Sequence, residues 1–201
     1  GFTDCKIVVS NSLDENIIRD IILQGAKIDS FGVGERLITA KSNPVFGGVY
    51  KLAAIERNGK IIPKIKVSEN TAKITLPGVK IPWRLFDKAT GKAIADVITL
   101  NDEKIDDTEP YEIFDPVFTW KRKTVTDFKA VKLQKKIFEK GRQIYESPSV
   151  KDISKYRERQ VGSLWDEVTR FEKPHTYYVD LSQKLWDQQQ MLLNSIAAKN
   201  E

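Results

Sequence analysis

The chain has 201 residues, of which 40% are hydrophobic and 30% are charged, and its formal net charge is +5. This composition is typical of a folded globular protein and argues against a disordered one. Its apolar runs are short, as in Ile7 to Val9, so we expect no transmembrane helix. We also expect no secretory signal, because the residues near residue 1 do not form an apolar stretch.

Residues 6–40 predict a strand, a helix, a second strand and a turn. Lys6 to Val9 is a short β-branched run that suits a buried parallel strand. Ser12 opens a capping box (S-x-x-E), and the isoleucines after it form one apolar helical face: Ile17, Ile18, Ile21 and Ile22. Gly25 suits the left-handed residue after a helix, and Ala26 to Phe31 is the next predicted strand. Together these elements predict one βαβ unit.

The rest of the chain predicts antiparallel strands and then helices. Three turn signals between apolar runs are typical of β-hairpins: Arg57-Asn58-Gly59-Lys60, Ala89-Thr90-Gly91-Lys92 and Glu139-Lys140-Gly141-Arg142. Asn101 to Glu109 is a predicted loop. One helix is expected after Ser149, with one apolar face that runs from Ile153 through Val161 to Phe171, and another from about Ser182 with Leu185 inward. The fold class is therefore α/β, with regions at 1–44, 45–146 (β-rich) and 147–201 (helical).

The glycine turn Gly32-Val33-Gly34, with Glu35 after it, is the strongest candidate for a ligand site. Glycine lets an anion approach the backbone because no Cβ intervenes, and N–H groups at a strand end or helix start favour phosphate. Ser10-Asn11-Ser12 also follows a predicted strand and offers hydroxyl and amide donors. Two adjacent strands that end in donor-rich turns match the phosphate site of (β/α) barrels. The alternatives are a tight turn at the glycines and a helix cap at Ser12.

Other chemistry is not indicated. The sequence has no catalytic-triad context, no metal-ligand spacing and no Walker loop. The one histidine, His175, follows a proline and is expected to be a structural or surface residue rather than a catalyst. The single cysteine, Cys5, favours a reducing, cytoplasmic setting, and we expect it to be buried and inert in the assembled protein. The net positive charge suits anionic ligands, although a mixed surface with a slight lysine excess is the alternative.

Four separated segments carry a family resemblance. The segments are VVSNSLDENIIRDIILQGAKIDSFGVGERLITA, VFGGVYKLAAIE, KVSENTAKITLPGVKIPWRLFD and the closing ESPSVKDISKYRERQ with LWDEVTRFEKPHTYYVDLSQKL. In the same order, they resemble the nicotinate phosphoribosyltransferases. The resemblance implies the C-terminal portion of a type II phosphoribosyltransferase: an incomplete (β/α) barrel segment, an antiparallel β-rich region and C-terminal helices. The only methionine is Met191, so we expect a piece of a longer chain.

The resemblance also implies a reaction and a site. Nicotinate and phosphoribosyl pyrophosphate would give nicotinate mononucleotide, with ATP hydrolysis and Mg²⁺ in the complete enzyme, which we expect to be a homodimer. No catalytic residue and no metal ligand is expected here, because the family's phosphohistidine lies earlier in the barrel. Ser10, Asn11 and Ser12 match the turn at the phosphoribosyl group, and Gly32, Val33 and Gly34 match the phosphate turn. Glu35 stands where the family often has threonine.

Four basic residues in family-like segments are candidate contacts for anionic substrates: Lys51, Lys66, Lys80 and Arg84. A solvated lysine-rich sheet face is the alternative. The competing function is a stand-alone basic β-rich module that binds RNA or an acidic partner. The four tryptophans are scattered along the sequence rather than clustered on one strand, which favours core packing over base stacking. We therefore expect the partners to be the enzyme's substrates and the remaining polypeptide, without nucleic acid or membrane.

Overall fold

The computed structural model describes residues 1–45, 47–70 and 73–198 and has a mixed α/β architecture with small sheets. The chain forms two compact units, Gly1–Tyr50 and Lys51–Glu201. The sequence-based boundaries at 44/45 and 146/147 remain predictions. Within the described residues, no helix has the length and apolar character needed to cross a membrane.

The unit Gly1–Tyr50 contains the predicted βαβ motif. Strands β1 (Val8–Ser10) and β2 (Ser30–Gly32) pair in parallel, and helix α1 (Glu15–Leu23) connects them. A four-residue helix, α2 (Glu35–Ile38), follows the glycine turn. Gly25 has the expected left-handed conformation, with φ +86°.

Two expectations for this unit are wrong. The strands are not buried in this chain, since only their central residues, Val9 and Phe31, are half-buried, and no residue of α1 is buried. Ser12 does not cap α1: the cap is Asp14, whose side chain accepts a hydrogen bond from the Ile17 N–H. Cys5 is exposed in this chain, and its burial in the assembled protein stays a prediction.

The unit Lys51–Glu201 is built on a four-stranded sheet and three antiparallel pairs. The sheet has the order β12-β6-β5-β9 and consists of β5 (Lys80–Asp87), β6 (Ala93–Leu100), β9 (Phe128–Lys132) and β12 (Val179–Leu181). The pairs are β3 (Ala54–Arg57) with β4 (Lys60–Pro63), β7 (Tyr111–Phe114) with β8 (Arg122–Val125), and β10 (Phe138–Glu139) with β11 (Arg142–Gln143). All three predicted hairpin turns are confirmed, and residues 101–109 form a loop, as expected.

The core of this unit lies under the β5–β6 hairpin. Leu85, Val97 and Phe128 are fully buried there, and the Trp83 indole N–H donates to the hydroxyl of buried Thr99 at 3.0 Å. A smaller cluster forms where Leu181 and Leu185 pack together with Leu100. The sheet alternates buried and half-buried positions along β6, which is why its apolar residues specify the register.

The C-terminal helices follow the predicted caps but not the predicted length. Ser149 caps α3 (Val150–Gly162) and Ser182 caps α5 (Gln183–Ala197), with Leu185 fully buried. The apolar face expected for α3 does not pack into the core, because none of the helix residues is buried. The helix ends at Gly162 because Lys92 Nζ binds the carbonyls of Gly162 and Leu164, and a separate short helix, α4 (Asp166–Thr169), follows.

Candidate functional site

The two predicted donor-rich turns lie side by side in the unit Gly1–Tyr50. The parallel register of β1 and β2 places Ser10 opposite Gly32, so both strands end at the same edge. A Cβ on Gly32 would lie 3.1 Å from the Ser10 Cβ, closer than nearly all real contacts of that kind. Glycine at this position therefore lets the two turns approach each other.

A pocket of about 370 Å³ opens between these turns. Five residues of the predicted site line it: Asn11, Ser12, Gly32, Gly34 and Glu35. Ser10 supports the pocket through its pairing with Gly32, whereas Val33 lines a neighbouring pocket beside Asp14 and Leu37. The structure thus brings most of the predicted residues together.

The conformation of the first turn explains why Ser12 is free to face the pocket. Asn11 and Ser12 both have positive φ values, 83° and 51°, which turn the chain sharply between β1 and α1. Because Asp14 takes over the helix cap, the Ser12 hydroxyl is not needed there. The following residue, Leu13, is buried and anchors the turn.

Two basic residues that the sequence analysis did not single out also line the pocket, Arg36 and Lys41. Arg36 forms an ion pair with Asp14 through Nη1 and Oδ2. The pKa of Asp14 is lowered, first by the Ile17 N–H that it accepts and then by Arg36. Arg36 therefore connects the start of α1 to α2, while Lys41 adds a positive charge at the pocket edge.

The second turn presents backbone to the pocket. Gly34 precedes α2 with φ −112°, and a Cβ added there would meet nothing within 4 Å. The Gly34 carbonyl accepts from the N–H groups of Leu37 and Ile38, so the N–H groups of Glu35 and Arg36 have no acceptor within the helix. Glu35 follows directly, and its negative charge opposes an anion in the same space.

The four candidate basic contacts belong to the other unit, Lys51–Glu201. Lys80 is half-buried and donates to the carbonyls of Leu76 and Gly78, both at 2.7 Å, and burial lowers its pKa. Lys51 donates to the carbonyl of Lys73. Lys66 offers its carbonyl to Thr75 N at 3.3 Å. The ammonium groups of Lys51 and Lys80 are thus engaged with backbone inside their own unit.

Arg84 is the centre of a polar network on the sheet. Its guanidinium donates to both carboxylate oxygens of Asp96, at 2.8 and 3.0 Å, and to Gln160 Oε1 at 3.1 Å. The Tyr177 hydroxyl donates to the same carboxylate at 3.0 Å, and its ring lies beneath the guanidinium. This network ties α3 and the segment before β12 to the sheet, and it raises the pKa of Arg84 chiefly through the bonds to Asp96.

The remaining sequence candidates have packing contacts. The His175 backbone N–H donates to the Glu167 carbonyl at 2.8 Å. Of the tryptophans, Trp83 is in the core, Trp165 donates to the Ala93 carbonyl, and Trp120 is exposed. Among the residues that the structure describes, no three His, Cys, Asp or Glu side chains are grouped so that they could hold a metal ion.

Comparisons with known proteins identify one family. A family profile described as the nicotinate phosphoribosyltransferase C-terminal domain matches residues 79–189. The nicotinate phosphoribosyltransferase of Bacillus subtilis (strain 168) is 41% identical over 201 residues, which is 100% of this chain and 41% of the relative. The protein of that name from Dictyostelium discoideum is 34% identical over 194 residues, covering 92% of this chain and 32% of the relative.

A solved structure is similar over nearly the whole chain. The crystal structure of human nicotinic acid phosphoribosyltransferase matches with a TM-score of 0.69 and 26% identity, covering 96% of this chain and 33% of that chain. The chain therefore spans less than half the length of each of these three relatives.

Proposed function

Since the chain belongs to the nicotinate phosphoribosyltransferase family, with the family's C-terminal domain at residues 79–189, we propose that it is the C-terminal part of such an enzyme. The complete enzyme would convert nicotinate and phosphoribosyl pyrophosphate into nicotinate mononucleotide and pyrophosphate, coupled to ATP hydrolysis, in cytoplasmic NAD biosynthesis. The observation that carries the proposal is the 41% identity to the Bacillus subtilis enzyme across the whole chain, which includes both turns of the pocket.

We further propose that the pocket between the two turns holds the 5′-phosphate of the phosphoribosyl group. Its lining supports this assignment, because backbone at Gly34, polar groups at Asn11 and Ser12, and the charge of Lys41 all suit a phosphate. Glu35 opposes it, so its side chain must turn away from the phosphate when the site is filled. Arg36 contributes indirectly, since its ion pair with Asp14 fixes the geometry between the two helices.

The chemical role of this site is positioning. As pyrophosphate leaves, the ribosyl C1 passes through an oxocarbenium-like state, and catalysis depends on orientation and charge stabilisation. A phosphate held at the turn would anchor the sugar at the end remote from C1. Binding energy from a remote group helps to align the reacting centre, so the turn would affect both affinity and turnover.

The other parts of the reaction belong, in this proposal, to the remaining polypeptide. The described residues do not fit a magnesium site, because no group of three suitable ligands occurs among them, and we derive no step through the metal. Apolar side chains of the unit Gly1–Tyr50 support the idea of an incomplete barrel segment: Val8 is 64% exposed, Ile22 54% and Leu37 68%. Parallel strands normally have both faces covered, so we propose that further barrel strands and helices cover these residues.

The test compares the full-length enzyme with the chain 1–201. Nicotinate mononucleotide formation is measured with nicotinate and phosphoribosyl pyrophosphate, with and without ATP. We expect product from the full-length enzyme, more of it with ATP, and none from 1–201. Absence of product from the full-length enzyme under all conditions would refute the activity, whereas clear turnover by 1–201 would refute the assignment of the catalytic groups to the remaining polypeptide.

A further inference from the structure

A separate pocket of about 300 Å³ lies in the unit Lys51–Glu201, between the β7–β8 hairpin and β12. Alternate residues of a strand share a face, so Ile113 and Asp115 project from the hairpin on one side. Lys123 is the cross-strand partner of Ile113, and the Asp115 N–H donates to the Lys121 carbonyl at 3.2 Å, which places both lysines on that same side. The hairpin thus presents a carboxylate and two ammonium groups to one pocket.

The opposite wall of this pocket carries a buried carboxylate without a partner. Asp180, in the middle of β12, is 4% exposed. Among the described residues, no group donates a hydrogen bond to its side chain and no cation pairs with it. Burial, together with the charge of Asp115, raises the pKa of Asp180 to about 6, so the group is still ionised at neutral pH. Buried charges in proteins are otherwise paired, so a cation in this pocket would stabilise the ionised carboxylate.

The second carboxylate is held rigidly beside it. Asp115 Oδ1 accepts the N–H groups of Val117 and Phe118, at 2.8 and 2.9 Å, and Oδ2 has no partner among the described residues. These bonds, the Phe118 N–H first, lower the pKa of Asp115, and the charge of Lys121 adds to the effect. Asp115 is therefore ionised as well, and two negative charges share one small pocket.

We propose that this pocket binds a small zwitterion of the amino-acid type, with its ammonium group between Asp115 and Asp180 and its carboxylate facing Lys123. The ammonium supplies the cation that Asp180 lacks, and Lys123 offers a charge that forms no ion pair within the described part of the chain. A metal ion fits less well, because no third carboxylate, histidine or cysteine joins the two aspartates among the described residues. The site is independent of the phosphoribosyl chemistry proposed above.

Protonation of Asp180 weakens the binding of this ligand. An ammonium group stabilises the ionised carboxyl, so binding lowers the pKa of Asp180, and affinity falls as the pH drops through about 6. The charged or titratable groups that face Asp180 across the pocket are Asp115, Lys121, Arg122, Lys123 and Tyr178. Arg122 is engaged by Glu112 and lies over the Phe114 ring.

The experiment is isothermal titration calorimetry on the full-length protein at pH 7.5, with glycine and 4-aminobutyrate as short and long probes. Butyrate lacks the ammonium group and n-butylammonium lacks the carboxylate, so each tests one half of the site. We expect one of the zwitterions to bind, and the corresponding single-charge analogues to bind at least about tenfold more weakly. Asp180→Asn should weaken binding by about tenfold or more and Lys123→Gln by a smaller factor. Asp106→Asn, which removes an exposed carboxylate outside the pocket, should have no effect.

Several outcomes would overturn the proposal. One is that neither zwitterion binds at about 10 mM. The others are that butyrate binds as tightly as 4-aminobutyrate, or that Asp180→Asn leaves the affinity unchanged. Binding of Mg²⁺ or Ca²⁺ alone that disappears in Asp180→Asn would show a metal site instead. If Asp180→Asn does not fold, Lys123→Gln and a titration at pH 5 decide the question, since unchanged affinity in both would also contradict the proposed site.

Discussion

The sharpest test of the phosphate turn is Gly34→Val in the full-length enzyme. The backbone angles at Gly34, φ −112° and ψ −112°, lie outside the regions that residues with a Cβ favour, so valine strains the turn. The valine side chain meets no atom of this chain within 4 Å of its Cβ. It does, however, stand where phosphate oxygens would approach the backbone of the turn. The structure thus predicts a loss of ligand affinity that exceeds the loss of stability.

The magnitude follows from the contacts that valine would block. A hydrogen bond from a backbone N–H to a charged phosphate contributes about 1.5–3 kcal/mol, so one lost contact corresponds to roughly a 10- to 150-fold increase in Kd. Loss of the contacts from both Glu35 N–H and Arg36 N–H would double the free-energy cost. Backbone strain should lower stability by on the order of 1–3 kcal/mol, which is less than the roughly 3–6 kcal/mol of two lost phosphate contacts.

The assay is a titration with phosphoribosyl pyrophosphate, followed by calorimetry or intrinsic fluorescence, with thermal unfolding measured in parallel. Gly162→Val is the matched control, because Gly162 also has open space around a Cβ but lies outside the pocket, at the end of α3. We expect weak binding in Gly34→Val and normal binding in the control. Unchanged affinity in Gly34→Val would mean that the turn is only structural and that the phosphate lies elsewhere.

Four further changes test the remaining assignments. Glu35→Thr should bind phosphoribosyl pyrophosphate as well as or better than the wild type, because a negative charge leaves the pocket; weaker binding on titration would contradict this. Lys41→Gln should weaken the same binding by roughly three- to tenfold and flatten its salt dependence, which titration at two ionic strengths measures. Gly78→Ala should destabilise the protein by on the order of 1–3 kcal/mol in denaturant unfolding, since φ is +87° and a Cβ would lie 2.8 Å from Gln188 Nε2. Asp180→Asn should stabilise the protein by about 1–2 kcal/mol at pH 8 and leave its stability unchanged at pH 4, as denaturant unfolding at both pH values measures. The reason is that the pKa of Asp180 in the folded protein, about 6, lies above its value in the unfolded chain, so the wild type loses stability as the pH rises through 6 and the carboxyl ionises.

Features that depend on a few neighbouring residues could be predicted from the sequence. The Asn58-Gly59 hairpin turn is an example, because both residues adopt the positive φ values, 53° and 72°, that asparagine and glycine tolerate best. Ser149 and Ser182 cap their helices for the same local reason, since their hydroxyls accept the N–H three residues later. Parallel pairing of β1 with β2 also follows from the βαβ pattern.

Features that depend on distant residues could not be predicted in this way. Ser12 and Asp14 are both good capping residues, and only the chain direction after β1 selects Asp14. The end of α3 at Gly162 is set by Lys92, 70 residues earlier in the sequence. The residues next to Asp180 in the sequence give no sign of its environment, because the carboxylate that shares its pocket, Asp115, follows a distant strand, β7.

The two units differ in how far they are complete within this chain, and this difference bears on function. The unit Lys51–Glu201 has a closed core around Leu85, whereas the unit Gly1–Tyr50 has a two-stranded parallel sheet whose residues are exposed or only half-buried. The proposed phosphate turn belongs to the latter unit. A turn at the end of a strand keeps its geometry only while the strand is held in place, and two-stranded sheets are marginally stable by themselves. Phosphate affinity should therefore be a property of the complete barrel, and that is why the Gly34→Val experiment must be carried out in the full-length enzyme.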